Sequence, residues 1–209
     1  MKDFSLGSLA FWVLFALGIL YSIILHEIAH GVVALWWGDD TARQNKRLSL
    51  SPLAHIDPVG TVIVPLLMYL TSGSIFGWAK PVPINPYKFR SWRWGNLTVS
   101  LAGITMNILV AAILVGITLV FPLNLFFHLI TANLFLAFFN LLPLPPLDGF
   151  RVVLSLLPAT WQQKIEPYLF PLGIILIILF VNSPFFSFLV DTVLGGVLNA
   201  LSLLYSSSS

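Results

Sequence analysis

The chain contains no cysteine. That absence removes disulfides and thiolate metal sites together, so any metal must be held by histidine, aspartate or glutamate. Charge is nearly as scarce: Asp, Glu, Lys and Arg make up 9% of the 209 residues, against 58% that are hydrophobic. With a mean hydropathy of +0.94, the chain has more apolar surface than a soluble core of this length can bury. It reads as an integral membrane protein. The net charge of +2 is too small to point to nucleic acid. No internal repeat is visible. No small-residue cleavage site interrupts the apolar run after Met1–Asp3, so the first span is expected to be retained. The length suits a single transmembrane domain over 1–209 and leaves no room for a sizeable extramembrane domain.

What the chain does have is long apolar runs. Residues 6–37 form the first, longer at 1.5 Å per residue than one bilayer needs. Residues 38–96 are a mixed loop or re-entrant region. Within it, "LSLSPLAHIDPVG" (Leu48–Gly60) begins with period-2 alternation and turns on two prolines, which suits short strands or an irregular loop. Pro58–Ala79 is uncharged but punctuated by Pro65, Gly60, Gly73 and Gly77. "KPVPINPYKFRSWRWG" (Lys80–Gly95) has the proline, basic and tryptophan content of an interfacial loop. Spans follow at 97–121 and 125–148, the latter ending in "NLLPLPPLDG", whose prolines are expected to unwind its last third. Two further spans occupy 166–205 around "NSP", and the terminal serines are expected to be disordered. The expected fold is an all-α polytopic membrane protein. It has five to six transmembrane helices, with short re-entrant or β-like segments between the first two long spans.

Inside the first run stands "HEIAH". On a helix His26 and His30 share one face and can aim imidazole nitrogens at one point. This is H-E-x-x-H, in which the metal is a Lewis acid and the glutamate, here Glu27, a general base. The bland alternative is two satisfied histidines and a glutamate paired with a cation, but no Lys or Arg lies within a turn of Glu27. At membrane depth each ionisable group needs a reason, which favours the metal. A catalytic zinc takes three protein ligands and leaves one position to water. Candidates for the third are Asp148, His55, His128 and Asp191. Asp148 has the strongest case: it follows "PLPPL" at a broken helix end, where freed carbonyls are tolerable only against protein or a wet cavity. His55 reads equally well as a turn histidine bonded to backbone, and His128 as interfacial.

"HEIAH" within a span, "SPLAHIDPVG", "GWAKPVPINP", "LAGITMN" and "NLLPLPPLDG", in that order, resemble the site-2 protease family of intramembrane zinc metalloproteases (peptidase family M50), in its short prokaryotic forms. The resemblance covers most of Leu25 to Arg151. It implies one zinc per chain, ligated by His26, His30 and Asp148, with Glu27 activating water. It also implies that Asn140 lies near the substrate, and it draws attention to Asn107 as a second substrate-side residue. Ile104 stands where the family usually has proline, which bears on local helix shape and on no ligand. The implied function is hydrolysis of peptide bonds in transmembrane protein or peptide substrates, within or near the bilayer of a prokaryotic cell (inner) membrane. A transporter or channel with a buried His/Asp ion site is the rival reading; it predicts paired repeat halves, which this sequence lacks.

A shared metal also constrains topology. HEIAH and Asp148 each lie toward the C-terminal end of a span, so those two helices must run parallel to meet at one depth. Residues 58–79 then cannot be a further single crossing; they re-enter or lie along the interface. This five-crossing scheme puts Arg43, Lys46, Arg47, Lys80, Lys88, Arg90, Arg93, Arg151 and Lys164 on one face and leaves Lys2 opposite. The bias places that face, and the zinc, toward the cytoplasm, with the N-terminus outside.

Overall fold

The computed structural model describes residues 6–72 and 79–206. Lys2, Gly73, Gly77 and the serines at 207–209 lie outside the described residues. Helix α1 (Leu6–Trp36) is followed by a one-turn helix α2 (Thr41–Gln44) and α3 (Val64–Ser72). Next come α4 (Trp92–Thr118), α5 (Asn124–Leu141), α6 (Asp148–Ser155), α7 (Ala159–Val181) and α8 (Pro184–Ser206). The all-helical class is as expected. Among the described residues three helices, α1, α4 and α5, are long and apolar enough to cross a membrane. A fourth candidate is the pair Ile175–Val181 and Pro184–Val197, bent by 68°. Only 11% of the most apolar window of α1 is buried inside the protein. A surface so apolar faces lipid, not water.

The expected β-like segments are not found: no strand occurs among the described residues. The alternation at Leu48–Leu50 is too short to recruit a partner, and the local bonds turn inward. Pro52–Ala54 forms a 3-10 turn, and Pro58–Ile63 a π-helical turn with Asp57 accepting from the Val59 and Gly60 amides. Further on, Pro81, Pro83 and Pro86 remove the donors a ladder needs.

The three long helices form the core of the molecule. Phe11 and Phe15 pack on His128, Gly18 abuts Leu129, and the Asn133 amide donates to Ser22 Oγ at 3.0 Å. The contacts advance in the same direction along both chains, so α1 and α5 run parallel, as a shared metal requires. Helix α4 runs back between them. His30 meets Val99 and Trp37 meets Thr98, so the N-terminal end of α4 lies at the C-terminal end of α1. There Ala34, Phe89 and Val99 form a small buried core.

Two chain terminations shape the site. Helix α1 ends at Gly38, whose φ of +105° suits glycine alone, with the Asp39 amide closing on the Ala34 carbonyl. Helix α5 ends at Leu141, because the prolines of "NLLPLPPLDG" cannot continue it. The chain then runs irregularly to Asp148. Gly173 of α7 lies so close to this stretch that a Cβ there would sit 2.5 Å from Pro145 carbonyl atoms. The excursion between α1 and α4 is tied at its base: the Lys80 amide donates to the His55 carbonyl at 2.9 Å. Residues 56–79 therefore start and finish at the same place.

Candidate metal centre

His26 and His30, one turn apart on α1, are 7% and 6% exposed. Asp148, the first residue of α6, is brought to them by the broken end of α5. His26 Nε2, His30 Nε2 and Asp148 Oδ2 form a triangle with every side 3.1 Å. Hydrogen bonding does not account for this figure. Asp148 Oδ2 accepts from both imidazoles only if both Nε2 atoms carry protons, and those protons would then crowd each other across the third side. Three lone pairs aimed at one cation satisfy all three atoms at once. Ligands about 2.0–2.1 Å from a tetrahedral zinc stand about 3.3 Å apart, so the triangle fits zinc to within a few tenths of an ångström.

The surroundings agree. His30 Nδ1 donates to the Val99 carbonyl at 2.6 Å, which puts the proton on Nδ1 and leaves Nε2 free to ligate. Gly103, one turn beyond Val99 on α4, faces the triangle. A Cβ there would lie 2.5 Å from both Nε2 atoms. The triangle therefore has a wall that only a glycine leaves open. Glu27 lies beside it, and its Oε2 accepts from the Val82 amide at 2.8 Å.

A cavity of about 620 Å³ opens from this cluster, lined among others by Glu27, Val82, Trp92, Asn107, Phe139 and Asn140. Asn140 donates to the Leu136 carbonyl at 2.9 Å. Asn107 is 1% exposed, and neither of its side-chain polar atoms has a partner. The other proposed ligands stay away from the cluster. His55 is buried and bonded to the Ser49 carbonyl at 2.8 Å, the turn histidine of the bland alternative. His128 bonds to the Asn124 carbonyl, and Asp191 is exposed on α8. Among the described residues, the group with metal-ligand geometry is His26, His30 and Asp148.

Three contributors escaped the sequence reading: Gly103, the Val82 amide and Asp39. Asp39 is fully buried just beyond α1. It accepts from the Thr41 amide at 3.0 Å and the Asn85 amide at 2.6 Å. Beside it, the Lys88 ammonium 2.7 Å from Asp40 holds that carboxyl below its usual range. The local signal for this clamp, "GDD" after an apolar run, looks like ordinary helix punctuation.

The model of a family described as peptidase family M50 matches residues 119–180, which include Asn140 and Asp148. The chain is 36% identical over 206 residues to YwhC of Bacillus subtilis, named as a candidate zinc metalloprotease; the match covers 90% of this chain and 89% of that protein. It is 30% identical over 166 residues to Rip2 of Mycolicibacterium smegmatis, which bears the same description, covering 75% of this chain and 62% of that one. For Rip2 of Mycobacterium tuberculosis (strain H37Rv) the identity is 31%, over 72% of this chain and 60% of that one. No solved structure matches the chain.

Proposed function

Because the chain belongs to peptidase family M50 and is a zinc metalloprotease, we propose that it cleaves peptide bonds of membrane-protein substrates within or near the bilayer. The whole of 1–209 would serve as one catalytic domain. The observation that carries this reading is the 3.1 Å triangle of His26, His30 and Asp148 with Glu27 beside it. Those three side chains would hold one zinc per chain. When bound, zinc would polarise a carbonyl and lower the pKa of a water toward about 7. Glu27 takes the proton from the attacking water and returns it to the leaving amine. Asn107 offers a buried donor and acceptor to a substrate peptide group, and Asn140 stands on the same cavity wall. A substrate helix must unwind locally to present its backbone before attack.

Purified protein loaded with zinc and dialysed is expected to retain about one zinc per chain and to cleave a generic single-span membrane substrate. Zinc at background level by mass spectrometry would overturn the metal assignment.

The same reading fixes orientation. Helices α1, α4 and α5 each cross, and we take the apolar part of α7 from Tyr168 on, and α8, as two more. The bond between His55 and Lys80 supports an excursion over 58–79 that makes no net crossing. The basic loops, and the zinc, then face the cytoplasm of a prokaryotic cell membrane, with the N-terminus outside. Asn45→Cys and Arg90→Cys, both at exposed positions, are expected to react with an impermeant maleimide from the cytoplasmic side alone. Native cysteine gives no background. Reaction from opposite sides would restore six crossings and defeat the scheme.

A further inference from the structure

Glu27 is half-buried, with no cation in contact among the described residues. What holds it is main chain. Its Oε2 accepts from the Val82 amide at 2.8 Å, across a separation in sequence that no helix periodicity links. Val82 stands between Pro81 and Pro83, neither of which has an N–H. Within that trio it carries the only donor the backbone can offer, and the donor is spent on Glu27.

The segment around Val82 is lashed down on both sides. Upstream, the Lys80 amide donates to the His55 carbonyl at 2.9 Å, and the Lys80 carbonyl accepts from Arg47 at 2.6 Å. Downstream, the Asn85 amide donates to Asp39 at 2.6 Å, and Lys88 pairs with Asp40. Val82 itself is 5% exposed, and its side chain packs where a Cβ on Gly31 would stand. Gly31 is one turn beyond Glu27 on the same face of α1. The strap therefore meets α1 twice in succession, once through the Val82 side chain and once through its amide.

We propose that the Val82 N–H is the positioning group for Glu27, fixing the carboxylate through Oε2 so that Oε1 is presented toward the cavity and the metal centre. This rests on the reading of Glu27 as general base. A neutral donor suits the task better than Lys or Arg. It fixes a rotamer through a hydrogen bond of ordinary length, in a direction set by the main chain and not by a long flexible side chain. The two prolines contribute by stiffening the strap and by leaving no neighbouring N–H to compete for the carboxylate.

The test replaces Val82 by its α-hydroxy analogue, which turns the amide N–H into an ester oxygen and keeps the isopropyl side chain. It uses the whole zinc-loaded chain in detergent or liposomes. Misplacing a reacting group by about an ångström costs up to about 10²-fold, so kcat is expected to fall about 10- to 100-fold while KM and zinc content hold. Val82→Ala, which keeps the N–H, recovers most of that kcat, with its effect expressed in KM. If the ester variant cannot be obtained folded, Val82→Pro removes the same donor, and its zinc content reports whether the centre survives. An ester or proline variant that binds zinc and turns over at the wild-type kcat overturns the proposal. So does a Val82→Ala variant that loses as much kcat as the ester, since packing would then be the cause. An inactive Glu27→Gln beside a fully active ester variant sinks this inference alone, and an active Glu27→Gln sinks the reading beneath it.

Discussion

Glu27→Gln lowers the rate of peptide-bond cleavage by about 10²–10⁴-fold and leaves zinc at the wild-type level. The factor is the usual contribution of a general base. Retention of metal follows from geometry. The triangle suited to the metal is made by His26, His30 and Asp148, and Glu27, which accepts from the Val82 amide through Oε2, is not part of it. An amide at position 27 keeps the size and an acceptor oxygen for that contact but cannot take a proton. Asp148→Asn behaves differently. A neutral amide is a poor zinc ligand, so metal is lost together with activity. Metal analysis and cleavage measured side by side separate the two roles. Zinc lost from Glu27→Gln and kept by Asp148→Asn would exchange them; wild-type cleavage by both would end the protease reading.

Gly103→Ala strips zinc from the protein although no ligand is altered, as thoroughly as His26→Ala does. The methyl group would stand 2.5 Å from His26 Nε2 and His30 Nε2, and one of the partners must move. His30 is held against the move, and His26, whose Nδ1 has no hydrogen-bond partner, yields only by leaving the triangle. The His30 Nδ1 is bonded to the Val99 carbonyl, and Val99 and Gly103 are successive turns of one helix, so the ring lies across the turn that the methyl would fill. A few tenths of an ångström are tolerable in a ligand triangle of this size; about an ångström is not. Stoichiometric zinc in purified Gly103→Ala, with the helical circular dichroism of the wild type, would show that α4 can retreat and is not the wall described.

The proposed ligands, which the structure brings together, were legible in the sequence because their chemistry is local. His26 and His30 need only helical spacing, and Asp148 announces itself by prolines that free backbone at membrane depth. The parallel run of α1 and α5 followed from depth alone. What stayed hidden depends on contacts between distant segments. Gly103 reads as one small residue among many in a membrane helix, until α4 is laid against the imidazoles. The alternation in "LSLS" suggested a strand because period is all a short stretch offers, and the backbone spent its bonds on local turns instead. The last helices were harder still. "NSP" marks a break equally well whether the pieces on either side are two spans or one bent by 68°.

The bond between the Lys80 amide and the His55 carbonyl has a consequence for how the molecule can vary. Because it brings residues 55 and 80 together, the chain between them is a closed loop in the polymer sense. Loop-closure entropy depends on length logarithmically, about 0.6 kcal/mol per doubling, so a fourfold shortening changes the closure cost by about 1.2 kcal/mol. That is small beside the interactions holding Lys80 to Arg47 and Asn85 to Asp39. The stretch is thus a natural graft point, where length and sequence can drift or be exchanged while the strap beneath keeps its grip on Glu27.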